Sequence, residues 1–246
     1  MSKSLIILRD QQAAALSLQR LSEAGLNASS VPLVDYKPLD FPEGELKNHC
    51  QGPLDGVFFA SHRSVEAFFQ GDITPFKEAY QDHWKCLVVG HRTQEALADL
   101  GFNSSAVYRD FQQLITDLGK DGETSRCRFL YPCSTQYDRQ DLELANQRGL
   151  EFLPLPLFDV LLDEENEVLS GQIQNGGDSV FVVYAPTQAK ALSKYGFFQH
   201  PVFCMGGRTR KSLEDLGYKN IIQSELPNER SLIRCLLEFC KETASC

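Results

Sequence analysis

The chain has 246 residues, 42% of them hydrophobic and 23% charged, which suits one large domain or two small ones and excludes a disordered chain, a collagen-like repeat and a coiled coil. Its longest apolar runs, such as Leu5–Leu8 and Val180–Tyr184, fall far short of the roughly 18–20 residues that cross a bilayer. A formal net charge of -9 argues against nucleic acid and anionic membrane as partners.

In chain order, a buried strand is predicted at Leu5–Leu8 and a helix at Ala13–Ala24. Strand and helix then alternate: Val57–Ala60 with Ser64–Phe69, Cys86–Val89 with Thr93–Leu100, and Arg128–Tyr131 with Arg139–Arg148. Val180–Tyr184 with Thr187–Tyr195 and Val202–Met205 with Thr209–Leu216 complete the series. The strands are almost continuously apolar, as parallel strands covered on both faces are. Four helices end in glycine followed by an apolar residue, at Gly25-Leu26, Gly101-Phe102, Gly149-Leu150 and Gly217-Tyr218. Alternating β and α units imply a mostly parallel α/β sheet.

An internal repeat is read directly. Gly90-His-Arg-Thr-Gln-Glu-Ala-Leu-Ala-Asp-Leu-Gly-Phe102 matches Gly206-Gly-Arg-Thr-Arg-Lys-Ser-Leu-Glu-Asp-Leu-Gly-Tyr218 at seven of thirteen positions without a gap. A weaker match relates Leu18–Asp35 to Leu142–Asp159. The chain therefore reads as two copies of a unit of roughly 120 residues. The segments Val31–Pro38 and Phe152–Phe158 are extended, marked by proline and equivalent under the repeat, so they suit edge or connector strands.

Candidate binding residues follow the strands, since ligands of parallel sheets gather at the carboxyl edge. Arg9 follows the first strand. Ser61, His62, Arg63 and Ser64 follow the second, and Arg92 and Thr93 the third. Tyr137 lies after the fourth, Pro186 and Thr187 after the fifth, and Gly207, Arg208 and Thr209 after the sixth. Helix N-termini carry free N–H donors and partial positive charge, so arginines at Arg63, Arg92, Arg208 and Arg210 are mildly unfavourable there unless an anion arrives. The same arginines could instead face solvent or pair with Asp99 and Asp215.

Eight scattered cysteines form no Cys-x-x-Cys pair and no zinc spacing, which points to a reducing cytoplasm. No basic start followed by an apolar stretch is present, so a signal peptide is not expected. Neither a Walker glycine loop nor a dinucleotide glycine fingerprint occurs. His49, His83 and His200 are expected at the surface and Trp84 in packing.

An ordered set of motifs now resembles a known family. These are Leu8-Arg9, Pro32, Asp55-Gly-Val-Phe-Phe-Ala-Ser61, Val89-Gly-His-Arg-Thr93, Phe129-Leu-Tyr-Pro132 and Met205-Gly-Gly-Arg-Thr209. Together they resemble uroporphyrinogen-III synthase of tetrapyrrole biosynthesis over nearly the whole chain. The resemblance implies the fold class α/β, two doubly wound parallel-sheet domains joined by a pair of extended linkers, with an internal repeat: a discontinuous first domain, residues 1–35 and 160–246, and an inserted second domain, residues 38–155, with linkers near 34–38 and 152–159. It implies a site in the cleft between them, where hydroxymethylbilane closes to uroporphyrinogen III with loss of water and inversion of ring D. No cofactor or metal is implied, and the expected protein is a cytoplasmic monomer whose partner is its small-molecule substrate. Thr93, Thr209 and Tyr137 are the expected catalytic set. Arg9, Ser61, His62, Arg63, Ser64, Arg92, Pro186, Thr187, Gly207 and Arg208 are the expected substrate-binding set.

Two departures stand out. A tyrosine that assists hydroxyl loss is often found where this chain has Phe158, so Tyr137 or a bound water would take that role. The family's Thr-Ser-Pro turn is replaced by Tyr184-Ala-Pro-Thr187. A non-catalytic two-domain protein binding a small polycarboxylate is the alternative these departures leave open.

Overall fold

A computed structural model of the chain describes residues 4–9, 11–81, 83–119, 126–163, 165–174 and 179–244. Its first elements are β1 (Ser4–Ile7), α1 (Gln11–Glu23), β2 (Ala28–Ser30), β3 (Val34–Pro38) and α2 (Glu43–Cys50). Next come β4 (Gly56–Phe59), α3 (His62–Gln70), α4 (Thr74–Ala79), β5 (Lys85–Val89), α5 (His91–Asp99), β6 (Ala106–Tyr108) and α6 (Phe111–Leu118). β7 (Cys127–Ser134), α7 (Arg139–Gln147), β8 (Leu150–Leu162), α8 (Glu167–Gln174), β9 (Ser179–Val183) and α9 (Pro186–Ser193) follow. β10 (Val202–Cys204), α10 (Gly207–Asp215), β11 (Ile221–Gln223) and α11 (Glu229–Ala244) complete the order.

The chain divides into two units. Met1–Asp35 with Leu161–Cys246 form unit 1, and Tyr36–Val160 form unit 2. The chain thus passes from one to the other twice, inside β3 and at the end of β8.

Unit 1 holds a sheet in the order β2-β1-β9-β10-β11, with every neighbouring pair parallel. Ile7 pairs with Val182 on one side and Ser30 on the other. Counted along the unit's own chain this is the order 2-1-3-4-5, a doubly wound arrangement that reverses between β1 and β9. Leu5, Ile7, Val180, Val182 and Phe203 of the sheet pack with Ala14 and Leu21 of α1 and with Leu232 and Leu236 of α11. Burying each large side chain contributes about 1.5–3 kcal/mol.

Unit 2 repeats this sheet as β8-β7-β4-β5-β6, again with parallel neighbours, and adds β3 at the free edge of β8. Leu39 N–H donates to Leu157 O at 2.9 Å, and Asp163 N–H to Leu33 O at 2.9 Å. These pairings run in opposite senses along the two strands, so β3 and β8 are antiparallel. Phe58 stacks on Phe111 with 4.8 Å between ring centroids and meets Phe152 and Tyr131 at its flanks, forming the aromatic centre of the core.

By position in the sheets, β1 and β2 correspond to β7 and β8, and β9, β10 and β11 to β4, β5 and β6. Each unit therefore joins the first half of one sequence repeat to the second half of the other. The best-matched copies end alike. Phe102 N–H donates to Leu97 O and Tyr218 N–H to Leu213 O, each at 3.1 Å, closing the helix over Gly101 (φ 82°) and Gly217 (φ 92°).

The six expected strands are all interior ones. The edge strands β2, β6 and β11 have three residues each, too few for periodicity to mark them. The helices α2, α4, α6, α8 and α11 are likewise additions to the predicted set. Of the two alternatives for Phe152–Phe158, edge or connector, the edge is excluded, because β8 lies between β3 and β7. Pro154 and Pro156 sit two residues apart and so turn their missing donors toward the same neighbour. The β7–β8 register slips at that point, between Cys133 and Ser134.

Candidate functional site

In unit 1 the reversal of strand order brings the turn after β1 beside the turn after β9. Arg9 lies there, its side chain 19% exposed, with its guanidinium 4.2 Å from the centre of the Tyr184 ring. Arg9 also donates to Ser17 Oγ at 2.7 Å and to Glu229 Oε1 at 3.4 Å. Glu229 opens α11, accepts from Ser17 and Arg20 of α1 as well, and is 13% exposed. Burial pushes the Tyr184 phenol up from its ordinary value, so it stays protonated at neutral pH. Pro186 and Thr187 open α9 beside it, both half-buried.

Gly207, Arg208 and Thr209 form the first turn of α10, with Gly207 and Arg208 exposed. Arg210, one residue on, pairs instead with Glu214 at 2.8 Å, and Asp215 is held by Lys211.

In unit 2 the order reverses between β7 and β4. Ser61 caps α3 by accepting from Ser64 N–H, while Ser64 Oγ donates to Ser61 O at 2.7 Å. Ser64 is 1% exposed, so its hydroxyl serves this cap and does not face solvent, contrary to its expected place in the binding set. His62 and Arg63 begin the helix and are half-buried. Tyr137, after β7, packs its ring against Tyr131 at 6.4 Å. His91 and Arg92 begin α5 and are exposed.

Thr93 and Thr209 occupy matched third positions of α5 and α10, behind Gly90 and Gly206, so neither is the cap. The two residues are only 3% and 4% exposed, buried where a β-branched residue packs well. This corrects the expectation of hydroxyls presented at the edge. What α5, α9 and α10 do present is three N-termini with no side-chain cap, two of them with arginine at the second position. Uncapped N–H groups, the helix dipole and a guanidinium together suit a carboxylate.

Sequence reasoning missed one feature. A cavity of about 260 Å³ in unit 2 is lined by Tyr36, Phe41, Arg63, Glu66, Leu157 and Phe158 among others. Of these Arg63 carries a sequence signal, its place after a strand, and Phe158 stands where the family resemblance expects a tyrosine. Two histidines also differ from expectation. His200 packs between Phe181 and Phe197, with Nδ1 3.1 Å from Ser179 O, and His49 lies 3.3 Å from Pro154 O. Trp84 packs on Phe76 and Tyr80 as expected. Among the described residues no three His, Cys, Asp or Glu side chains gather to hold a metal, and no helix is long and apolar enough to cross a membrane.

Two doubly wound sheets of matched parallel order, with uncapped N-termini at α5, α9 and α10, define a duplicated α/β protein. The family model described as Uroporphyrinogen-III synthase HemD matches residues 15–234. The chain belongs to the uroporphyrinogen-III synthase family, a lyase family of heme biosynthesis. Its fold is similar to that of a mutant uroporphyrinogen III synthase from the extremely thermophilic bacterium Thermus thermophilus, at 15% identity over 98% of this chain and 99% of that one, with a TM-score of 0.66. It is also similar to uroporphyrinogen-III synthetase from Helicobacter pylori, at 15% identity over 97% and 100% of the two chains, with a TM-score of 0.63.

Proposed function

We propose that the chain closes hydroxymethylbilane to uroporphyrinogen III and that the carboxyl edges of its sheets hold the substrate's carboxylates. The observation that carries this is the set of uncapped N-termini of α5, α9 and α10, with Arg92 and Arg208 at second positions. Arg9, Pro186, Thr187, Gly207 and Arg208 are the contacts from unit 1. Ser61, His62, Arg63 and Arg92 are those from unit 2, with Tyr137 a phenol at the same edge. Thr93 and Thr209 fix the two Gly-x-Arg-Thr turns from behind.

The chemistry explains why no conspicuous catalytic triad is needed. An electron-rich pyrrole assists departure of its own hydroxymethyl oxygen. The enzyme's main contribution is to hold the two chain ends so that the new bond forms through ring D's substituted carbon. Many charge-assisted contacts, each worth about 1.5–3 kcal/mol, suit that task.

The test is direct. Purified protein incubated with hydroxymethylbilane gives the type III isomer after oxidation; the type I isomer alone refutes the reading. The protein works as a monomer in a reducing cytoplasm. The free thiols of Cys50, Cys86, Cys133, Cys204 and Cys235 support that placement, and sedimentation of the pure protein tests the monomer.

A further inference from the structure

The cavity of unit 2 opens where β3, β8 and α3 meet. Arg63 of α3 lays its guanidinium over the Tyr36 ring of β3, 3.7 Å from the centroid. Phe158 of β8 meets the same ring edge-on, with 6.1 Å between centroids. One phenol is thus held between a cation and an apolar ring, in a cavity that Glu66 also lines. A cation over the ring orients it, and the guanidinium stands where it can balance charge in the cavity. The volume of about 260 Å³ is below the roughly 300–1,000 Å³ of cavities that enclose whole drug-sized ligands, so it suits one substituted pyrrole and not a tetrapyrrole.

We propose that this cavity receives the hydroxymethyl-bearing pyrrole and that Tyr36 gives its proton to the departing oxygen. The proposal rests on the synthase reading above. The carbon–oxygen bond breaks with its electron pair going to oxygen, and the Tyr36 proton joins that oxygen, so water leaves. The pyrrole nitrogen's lone pair fills the vacancy, giving an exocyclic double bond and a cationic ring. The Tyr36 phenolate is left beside Arg63, which balances its charge. Once the new carbon–carbon bond has formed, the carbon-bound proton lost on rearomatisation returns to the phenolate. One water is lost overall and Tyr36 is restored.

The experiment compares wild type, Tyr36→Phe, Tyr80→Phe and the double variant Tyr36→Phe with Phe158→Tyr, all full length, for kcat, KM, isomer ratio and Tm. Tyr36→Phe lowers kcat about a hundredfold, in the range of acid–base assistance, with KM and Tm near wild type. Tyr80, an exposed ring on Phe76 and Trp84, is the matched control, and its variant keeps the wild-type rate. The double variant regains about tenfold, because it returns a phenol to the neighbouring ring of the same cavity. A wild-type kcat in Tyr36→Phe, or a loss that tracks Tm and is not rescued, overturns the proposal while the synthase reading stands. A wild type that yields only the type I isomer overturns the reading, and the proposal with it.

Discussion

Arg9 and Tyr184 touch across the point where the unit 1 sheet reverses its strand order, guanidinium over ring at 4.2 Å. Neither side chain is fixed by the sheet itself. Arg9 is steered by Ser17 of α1 and by Glu229 at the start of α11, so two helices decide where the cation lies.

That dependence makes Glu229 testable. Glu229→Ala removes the acceptor shared by Arg9, Ser17 and Arg20. Breaking a fully buried pair costs about 3–5 kcal/mol, but Arg20 is half exposed and solvent screens it. A loss of about 1–2 kcal/mol is expected after that discount. At about 2–4 °C per kcal/mol for a protein of this size, Tm falls by several degrees. KM for hydroxymethylbilane rises as Arg9 loses its anchor. A melting curve and KM both equal to wild type would show that the cluster orders nothing.

The first-turn arginines allow stability and binding to move in opposite directions. Arg92→Glu and Arg208→Glu replace a cation at the second position of α5 and α10 by an anion. The helix dipole favours the anion by about 0.3–1 kcal/mol, so Tm holds or rises slightly. A substrate carboxylate loses a charged partner and meets a repulsive one, so KM rises by about tenfold or more. Unchanged KM in both variants would make these arginines solvated surface.

How far the sequence carries this site follows from the kind of signal each residue leaves. Arg63, Arg92 and Arg208 are legible because they stand at fixed offsets from apolar strands. The repeat is legible because both copies close over a glycine in the same way. Phe158 is legible only as a departure from the family; its contact with Tyr36 is not, since that depends on β3 joining the edge of β8, and no local pattern records that pairing. Glu229 carries no sequence signal, because α11 is not among the expected helices and its role follows only from the fold setting α1 against it. The burial of Thr93 and Thr209 was equally hidden. A threonine one position from a cap and one at the third position look alike in sequence, yet only the first presents its oxygen to the helix end.

Thiol chemistry gives the pH prediction. Burial pushes Cys86 and Cys133 up to about 12 and Cys204 up to about 11, from an ordinary 9.0. In the unfolded chain these thiols ionise near 9, while in the folded chain they stay protonated. Their contribution to stability is therefore complete below about pH 9 and is lost as pH rises toward 11–12. Tm should hold steady up to pH 9 and fall beyond it. Iodoacetamide at pH 8 should label exposed Cys240 and leave Cys133 and Cys204 untouched in the native protein. Equal labelling of all three would contradict the burial.

The repeat sets up the last test, because its two cap glycines differ in conformation. Gly90 caps α5 with φ 78° and ψ 149°, a region populated almost only by glycine. Gly206 caps α10 with φ -119° and ψ 150°, an extended conformation open to any residue. An added methyl meets no atom within 4 Å at either position, so sterics with neighbours cancel in the comparison. Gly90→Ala should cost about 1–3 kcal/mol through backbone strain alone. Gly206→Ala loses some cap preference, since glycine caps better than alanine, but it also reduces the freedom of the unfolded chain by an amount worth about 0.4–1 kcal/mol. These oppose each other, and Gly206→Ala should stay within about 0.5 kcal/mol of wild type. Urea unfolding of the two variants checks the asymmetry. Equal losses would mean that the matched turns share one backbone conformation in solution, and that the difference between Gly90 and Gly206 is not a property of the folded chain.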